Sequence, residues 1–362
     1  MKRILALTLA CATFAVSTLT FSSCGKSIMK DDAFSHIFSE VFDKKANAVT
    51  EADLAKVESF EILTYSDINN VTVTLEGYSK IMDSENPDKE AAQEFVKSVD
   101  ISDFSFESFD DFKLLTGLKE FHAIYTGFKS FDFLSECKLL EEFTVMANYD
   151  CTDYSVIRNF PNIKTFAISE GSIDDLTPIS EAVTLTSLTL DSVQNGEYGL
   201  SDLSFVSSLT NLESFSAASG MIYEIDALSS LENLEYLNLS YNGVDDVTPI
   251  AGLKNLKYID LTQNLVRDLS SLKNYDPESF EVIILDLNSS IKDWSPLDYL
   301  GKKVQGRPTG YKIDDSVTAK PIEDHKEHNE ELPKVEISVD TGEEIFEEGF
   351  GDNDIDVSMF DF

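Results

Sequence analysis

The 362-residue chain is poor in the residues on which cross-linked and metal-dependent proteins rely. Four cysteines, four histidines and one tryptophan give no disulfide framework and no dense set of metal ligands. Positive charge is also scarce, because 28 Lys and Arg stand against 66 Asp and Glu, for a net charge of −38. Such a field repels phosphate groups and attracts basic surfaces. We therefore expect no nucleic-acid partner.

Long apolar runs are absent except at the N-terminus, which has the features of an export signal. Lys2 and Arg3 precede an apolar run over residues 4–21 and two serines. This pattern predicts a signal peptide over residues 1–23. The sequence FSSC, ending at Cys24, resembles the lipobox of bacterial lipoproteins, which implies cleavage before Cys24 and a lipid on its thiol. Ordinary cleavage nearby, with Cys24 incidental, is the alternative. No later run has the ~18 apolar residues of a membrane span, so this lipid would be the membrane anchor.

The chain repeats itself. The segment NLEYLNLSYNGVDDVTPIAGLKN is followed 22 residues later by NLKYIDLTQNLVRDLSSLKN, with the same apolar and Asn positions. The pattern L-x-x-L-x-L-x-x-N is typical of leucine-rich repeats. Nine copies of the second half of the repeat run from about Asp110 to Leu300. Their shared aliphatic position is held by Leu115, Leu134, Ile157, Ile179, Val206, Leu228, Ile250, Leu272 and Leu297.

Each repeat divides into a strand and a short helical return. Segments such as LEYLNLS alternate apolar and polar residues with the period of two that a strand requires. A Ser, Thr or Asp recurs two residues before the shared aliphatic position, and we expect its side chain to cap a short helix. The predicted fold is an α/β repeat solenoid, with parallel strands on its concave face and short helices or 3₁₀ turns on its convex face.

An asparagine follows several strands where such repeats bury an amide against the backbone of adjacent turns. Asn148, Asn242, Asn264 and Asn288 hold this position, and we call their series the asparagine ladder. Gly171 and Gly220 stand at two of its positions, so the ladder is incomplete. The longest spacing, 27 residues, contains DSVQNGEYGL, which predicts a loop that bulges from the stack.

We predict that the chain is divided into four segments. Residues 1–23 are the signal peptide, and residues 24–48 are a linker with a helical N-terminal cap. Residues 49–302 are the repeat domain, with an insertion at about 64–108 in which Asn86-Pro87 opens a helix carrying Phe95 and Val96. Residues 303–362 are an acidic tail, disordered by composition.

No reaction is indicated by the sequence. It has no G-x-S-x-G motif and no cysteine paired with histidine in a known motif. His325 and His328 lie in the acidic tail, and DNDID near the C-terminus lacks the Gly of a calcium loop. Cys137 holds a repeat position occupied elsewhere by Leu, Phe and Tyr, which favours a buried thiol. We expect a non-enzyme with no cofactor and no metal.

The concave face is the candidate binding surface. Tyrosines on a rigid face bury much area at little entropic cost, although Tyr also suits exposed strands for its own packing. We assign the ligand-binding role to Tyr236, Asn238, Tyr258, Asp260, Val282 and Ile284. The remaining predicted concave positions are Ala123, Tyr125, Glu142, Thr144, Thr165, Ala167, Ser187, Thr189, Ser214 and Ser216. Val282 and Ile284 would need cover from the chain that follows or from a partner.

With a cap such as VTEADLAKVESFEI and repeats such as LEYLNLSYNGVDDVTPIAGLKN, the chain resembles the internalin-type leucine-rich repeat proteins of bacterial surfaces over about residues 31–300. The resemblance implies a right-handed curved solenoid that binds a protein through its concave face. We expect an exported monomer, lipid-anchored at the bacterial membrane or cell surface. The alternative is an acidic inhibitor or immunity-type protein that neutralises a basic enzyme or toxin.

Overall fold

The computed structural model describes residues 27–66, 68–82, 89–196 and 198–313. Cys24, the predicted signal peptide and most of the acidic tail lie outside them. Within these residues twelve strands form one sheet in the order β14-β13-β12-β11-β10-β7-β6-β5-β4-β1-β2-β3, and β8 pairs with β9. The strands are β1 Val57–Tyr65, β2 Ile68–Leu75, β3 Val96–Asp100, β4 Glu120–Ile124, β5 Glu142–Met146, β6 Thr165–Ser169, β7 Ser187–Asp191, β8 Gln194–Asn195, β9 Tyr198–Gly199, β10 Ser214–Ser216, β11 Tyr236–Asn238, β12 Tyr258–Asp260, β13 Val282–Ile284 and β14 Val304–Gln305.

Every repeat adds one parallel strand and one short helical turn. The strands β4–β7 and β10–β13 follow one another in parallel register, and the side chain that follows the first residue of each strand, such as Phe143 or Leu237, is fully buried. The predicted solenoid is confirmed. The returns are Asp110–Leu114, Asp132–Leu134, Ser155–Asn159, Thr177–Ser180, Ser204–Ser208, Asp226–Ser230, Thr248–Ile250, Ser270–Leu272 and Ser295–Lys303, of which Thr177–Ser180 is α-helical and the others are 3₁₀.

The predicted helix caps are wrong in detail. The recurring Ser, Thr or Asp is the first residue of each turn, and the preceding cap residue is apolar and makes no side-chain cap hydrogen bond. The first backbone amide of the turn is bonded instead by an aspartate two residues earlier. Asp153 Oδ1 accepts from Ser155 N at 2.8 Å, and Asp246 Oδ1 accepts from Thr248 N at 2.8 Å. Hydrogen bonds from the side chain and backbone amide of Thr248 lower the pKa of Asp246, and those from the backbone amide and side chain of Ser155 lower the pKa of Asp153.

The N-terminal segment, which was predicted to cap the array, packs its apolar side chains into the same core as the first strands. Helix α1, Asp32–Phe42, buries an apolar face at helical spacing, and its N-cap Asp31 accepts from Phe34 N at 3.0 Å. Helix α2 runs Glu51–Leu54 and begins with a reciprocal capping box between Thr50 and Asp53. Lys44 Nζ donates to Asp53 at 2.7 Å. A side-chain hydrogen bond from Lys44, with others from Thr50, holds the pKa of Asp53 well below its usual range.

The insertion after β1 is a sheet extension rather than a loop. Strands β2 and β3 pair antiparallel beside β1, and two short helices connect them, α3 Tyr78–Met82 and α4 Lys89–Gln93. The predicted helix start at residues 86–87 lies outside the described residues. Phe95 and Val96 do not belong to a helix, since α4 ends at Gln93 and Val96 opens β3.

The C-terminal end also departs from the sequence-based boundary. Residues 304–311, assigned to the acidic tail, continue the array. Strand β14 pairs with β13, so that Gln305 lies beside Ile284. Arg307 then bonds Leu297 O at 2.8 Å and Asp298 at 3.3 Å. Strand β14 therefore extends the sheet beyond β13, whereas Val282 and Ile284, for which cover by the following chain or by a partner was predicted, remain half-buried.

The asparagine ladder is present. Asn264 Oδ1 accepts from Val244 N at 2.9 Å, and Asn264 Nδ2 donates to Leu239 O at 2.8 Å. Asn148, Asn242 and Asn288 make corresponding bonds to backbone groups of the preceding repeat.

The predicted bulge within the 27-residue repeat is the hairpin of β8 and β9. Cys137 and Cys151 are free and buried.

Candidate functional site

The outward side of the sheet, predicted to be concave, is called the sheet face here. Parallel register arranges its side chains in rows that run across the strands, and two of these rows extend from β1 to β13. The first row is Ser59, Glu120, Glu142, Thr165, Ser187, Ser214, Tyr236, Tyr258 and Val282. The second is Glu61, His122, Thr144, Ala167, Thr189, Ser216, Asn238, Asp260, Ile284 and Gln305.

The two predicted tyrosines form one unit. The rings of Tyr236 and Tyr258 stack with centroids 4.5 Å apart and an interplanar angle of 9°. Both are half-buried. Burial raises the pKa of both phenols; neighbouring Asp191 and Asp260 raise that of Tyr236 further, and Asp260 that of Tyr258. The phenols therefore stay protonated and can donate a hydrogen bond at physiological pH.

A polar network supports this pair from the neighbouring strands. Asn238 Nδ2 donates to Ser216 Oγ at 3.1 Å, and Ser216 Oγ donates to Asp191 Oδ1 at 2.7 Å. Asp260 Oδ1 accepts from Thr262 N at 2.8 Å. Burial raises the pKa of Asp191, although Ser216 and the backbone amide of residue 218 partly offset it. The side chains around the tyrosines are thus held in place by bonds within the sheet.

The apolar end of the face is continuous with the tyrosines. Tyr258 pairs with Val282, and Asp260 pairs with Ile284. Both apolar side chains stay half-buried although β14 lies beside them. The register therefore brings together all six residues predicted as the ligand site.

Two predicted face positions in the first repeat are wrong. Ala123 pairs with Val145 and is fully buried in the core. Tyr125 lies beyond the strand in a left-handed conformation with φ of 53°. A shift of one residue moves a strand's side chains to the opposite face, so Glu120 and His122 occupy the face instead. The repeat pattern itself carried the signal, since L-x-x-L-x-L applied to Leu118 and its successors makes Ala123 a core position.

His122 is the least expected member of the face. Its Nδ1 lies 3.8 Å from Glu142 Oε1 and its Nε2 lies 4.0 Å from Glu120 Oε2, with its side chain 20% exposed. Burial lowers the pKa of His122, but Glu120, Glu142 and Glu61 together raise it above its ordinary value. His122 in turn lowers the pKa of Glu120, whereas burial raises that of Glu142.

Neither a metal centre nor a membrane span is found in the described part of the chain. No three His, Cys, Asp or Glu side chains there are grouped so that they could hold a metal ion. None of the helices in the described ranges is long and apolar enough to cross a bilayer. His325, His328 and the DNDID segment lie outside those ranges.

Residues 232–274 match the family model described as Leucine Rich repeats (2 copies). The chain has the leucine-rich repeat fold. Two internalin structures from Listeria monocytogenes agree with it at 20% identity each. Internalin C2 aligns over 70% of this chain and 93% of its own, with a TM-score of 0.50. The internalin InlF aligns over 76% of this chain and 75% of its own, with a TM-score of 0.53. No curated protein shows significant sequence similarity. The expected resemblance to internalins is thus confirmed for the leucine-rich repeat fold.

Proposed function

We propose that the protein is a non-enzymatic, protein-binding module, exported and held at the bacterial cell surface by a lipid on Cys24. It recognises its protein ligand through the sheet face. The observation that carries this proposal is the stacked pair of Tyr236 and Tyr258, half-buried on a regular parallel sheet beside Val282 and Ile284. The leucine-rich repeat fold and its internalin neighbours support the same conclusion.

The physical reason is the low entropic cost of using these side chains. Each tyrosine has two side-chain torsions, and stacking with its neighbour already restricts them. A partner that covers them gains apolar burial and phenolic hydrogen bonds without ordering a flexible surface. Asn238 and Asp260, fixed by bonds to Ser216 and Thr262 N, offer polar groups next to the rings. An apolar centre with positioned polar neighbours is typical of interface hot spots.

The direct test is a selection experiment. A displayed library of protein domains would be selected on the purified protein, and each binder would be retested on the double variant Tyr236→Ala/Tyr258→Ala. Removing two hot-spot side chains at ~2 kcal/mol each is expected to weaken binding by about a hundredfold or more. Tyr149→Ala is the control, because Tyr149 is 65% exposed and lies off the sheet face. Binders that respond equally to both variants would contradict the proposal.

The anchor is tested separately. Cells that express the protein would be labelled with radioactive palmitate, with Cys24→Ala beside the unchanged chain. Labelling is expected only when Cys24 is present, because its thiol is the proposed attachment point. Equal labelling of the two proteins would remove the membrane part of the proposal and leave the binding part intact.

The acidity of the chain favours a second candidate, an inhibitor or immunity-type protein for a basic enzyme or toxin. A net charge of −38 would accelerate association with a basic partner. Binding governed by this charge would collapse between low and high salt. Binding centred on the tyrosines would be only modestly reduced, which distinguishes the two functions on the same selected partner.

A further inference from the structure

The N-terminal end of the sheet face carries an acidic group around one histidine. Glu61 on β1, Glu120 and His122 on β4, and Glu142 on β5 are neighbours across three strands. Three carboxylates therefore surround a single imidazole, and the group stays negative even when His122 is protonated. Lys119, which immediately precedes β4, offsets only part of this charge, because its Nζ is bonded to Glu58 at 2.7 Å although it also acts on Glu120.

A buried hydroxyl without a partner lies in the same place. Thr144 pairs with His122 in the register of β4 and β5, so its side chain is on the sheet face. It is 1% exposed, and its Oγ1 has no hydrogen-bond partner within the described part of the protein. Buried hydroxyls are nearly always bonded, since leaving one unpaired is unfavourable. A hydrogen-bond donor of a partner protein that reached Thr144 Oγ1 would supply the missing hydrogen bond.

We propose that Glu120, His122, Glu142 and Thr144 form a receiving site for a basic side chain, arginine or lysine, of the protein that binds the sheet face. The proposal rests on the proposed function and adds the chemistry of the partner. Basic side chains carry donors only, which matches carboxylates and an unpaired hydroxyl oxygen. Arginine suits the site best, because its planar fork can bond two carboxylates at once.

The distance to the tyrosines defines the partner further. In the order of the sheet, β5 and β11 are separated by four steps, which is ~19 Å at ~4.8 Å per strand. Between Glu142 and Tyr236 the first row contains Thr165, Ser187 and Ser214, which are short enough to admit an element of the partner. A helix of about 13 residues spans this distance. The fitting partner thus presents a basic group and an apolar or aromatic group about 19 Å apart.

The test uses N-acetylargininamide as the probe and N-acetylcitrullinamide, its uncharged isostere, as the control. The ring signals of His122 would be followed by NMR and assigned with His122→Gln. The arginine compound is expected to shift these signals and to lower the pKa of His122, because a bound cation opposes protonation of the imidazole. The titratable groups that face that ring, Glu61, Glu120 and Glu142, are all acidic, so a lower pKa of His122 would report the arrival of the cation. An equal response to the citrulline compound, or no response to either, would overturn the proposal.

Two variants complete the test. Glu142→Gln is expected to weaken the arginine response about tenfold or more, whereas Glu278→Gln, an exposed glutamate elsewhere, leaves it unchanged. An unchanged response in Glu142→Gln would count against the site. Tyr236→Ala/Tyr258→Ala should retain the response, because the tyrosines lie several strands away. If the arginine response fails while selected binders still depend on the tyrosines, this inference is wrong and the proposed function stands.

Discussion

Replacement of Asn264 by Ala tests the asparagine ladder most directly. The amide of Asn264 joins two successive repeats, because it accepts from Val244 N at 2.9 Å and donates to Leu239 O at 2.8 Å. Asn264 is 4% exposed, and both partner residues are fully buried. Alanine would leave the amide hydrogen of Val244 without a partner and would remove one of the two amide donors of Leu239 O, which Asn242 Nδ2 also bonds at 3.1 Å.

The magnitude follows from these two groups. A buried polar group left unpaired costs about 1–3 kcal/mol, and the loss of one further hydrogen bond costs about 0.5–1.5 kcal/mol, so we expect a total loss of about 1.5–4 kcal/mol. Asn255 provides the matched control. It makes one exposed bond, from Nδ2 to Glu232 O at 2.8 Å, which water can replace. We expect Asn255→Ala to lower the free energy of unfolding by less than about 1 kcal/mol.

Urea unfolding, followed by circular dichroism, measures the difference between the two variants. The slopes against urea must agree, because repeat arrays can lose two-state behaviour when one interface is weakened. A lower slope for Asn264→Ala would itself indicate that repeats on the two sides of the defect unfold separately. A loss of stability for Asn264→Ala no larger than that for Asn255→Ala would refute the reasoning about buried ladder bonds.

Three further predictions concern stability and reactivity. Gly220→Asn is expected to destabilise the protein instead of completing the ladder, because a Cβ there would lie 2.9 Å from Asn242 Oδ1; a higher urea midpoint would contradict this. Asp53→Asn should lower stability by about 1–3 kcal/mol at neutral pH. Because the pKa of Asp53 is depressed in the folded state, its contribution is present above its ordinary pKa and fades as the pH falls, so the two unfolding curves should converge in acid. Burial raises the pKa of Cys137 to about 12 and that of Cys151 to about 11, so iodoacetamide should modify them only in denaturant; peptide mass spectra that show modification of the native protein would contradict this.

The repeat architecture could be predicted because each structural requirement recurs many times in the sequence. A position that must be buried, such as that of Leu237, is aliphatic or aromatic again in Ile259 one repeat later, and the chance of a coincidence falls with every copy. The ladder followed for the same reason, since Asn242 and Asn264 stand at equal offsets from their strands. Features that occur once gave weaker signals: α4 ends at Gln93 because the chain must return to the sheet as β3.

The cap chemistry shows a different kind of error. Ser, Thr and Asp are all good N-cap residues, so their recurrence was a sound reason to expect caps. The same segments also contain a second recurring aspartate, as in DDLTPI, DDVTPI and KDWSPL. An aspartate readily accepts a hydrogen bond from the backbone amide two residues ahead. Here that amide belongs to the first residue of the helical turn. Both the aspartate and the Ser, Thr or Asp two residues after it are residue types that can cap a helical turn. Capping propensity alone therefore could not show which of the two positions makes the hydrogen bond.

The first repeat shows why the candidate site needed the register of the strands. Glu120 and Glu142 are equivalent residues on adjacent strands, yet the sequence-based reading included Glu142 in the face and left Glu120 out. In the prediction this strand was shifted by one residue, so the core residue Ala123 stood in the place of His122. The N-terminal end of the face therefore lacked Glu120 and His122. With the pairing in hand, the face is acidic around His122 and aromatic around Tyr236. Because these two ends differ in charge and polarity, we expect the proposed partner to bind in only one direction along the array, so that a variant partner with its basic and apolar groups in reversed order should show no binding in the same assay.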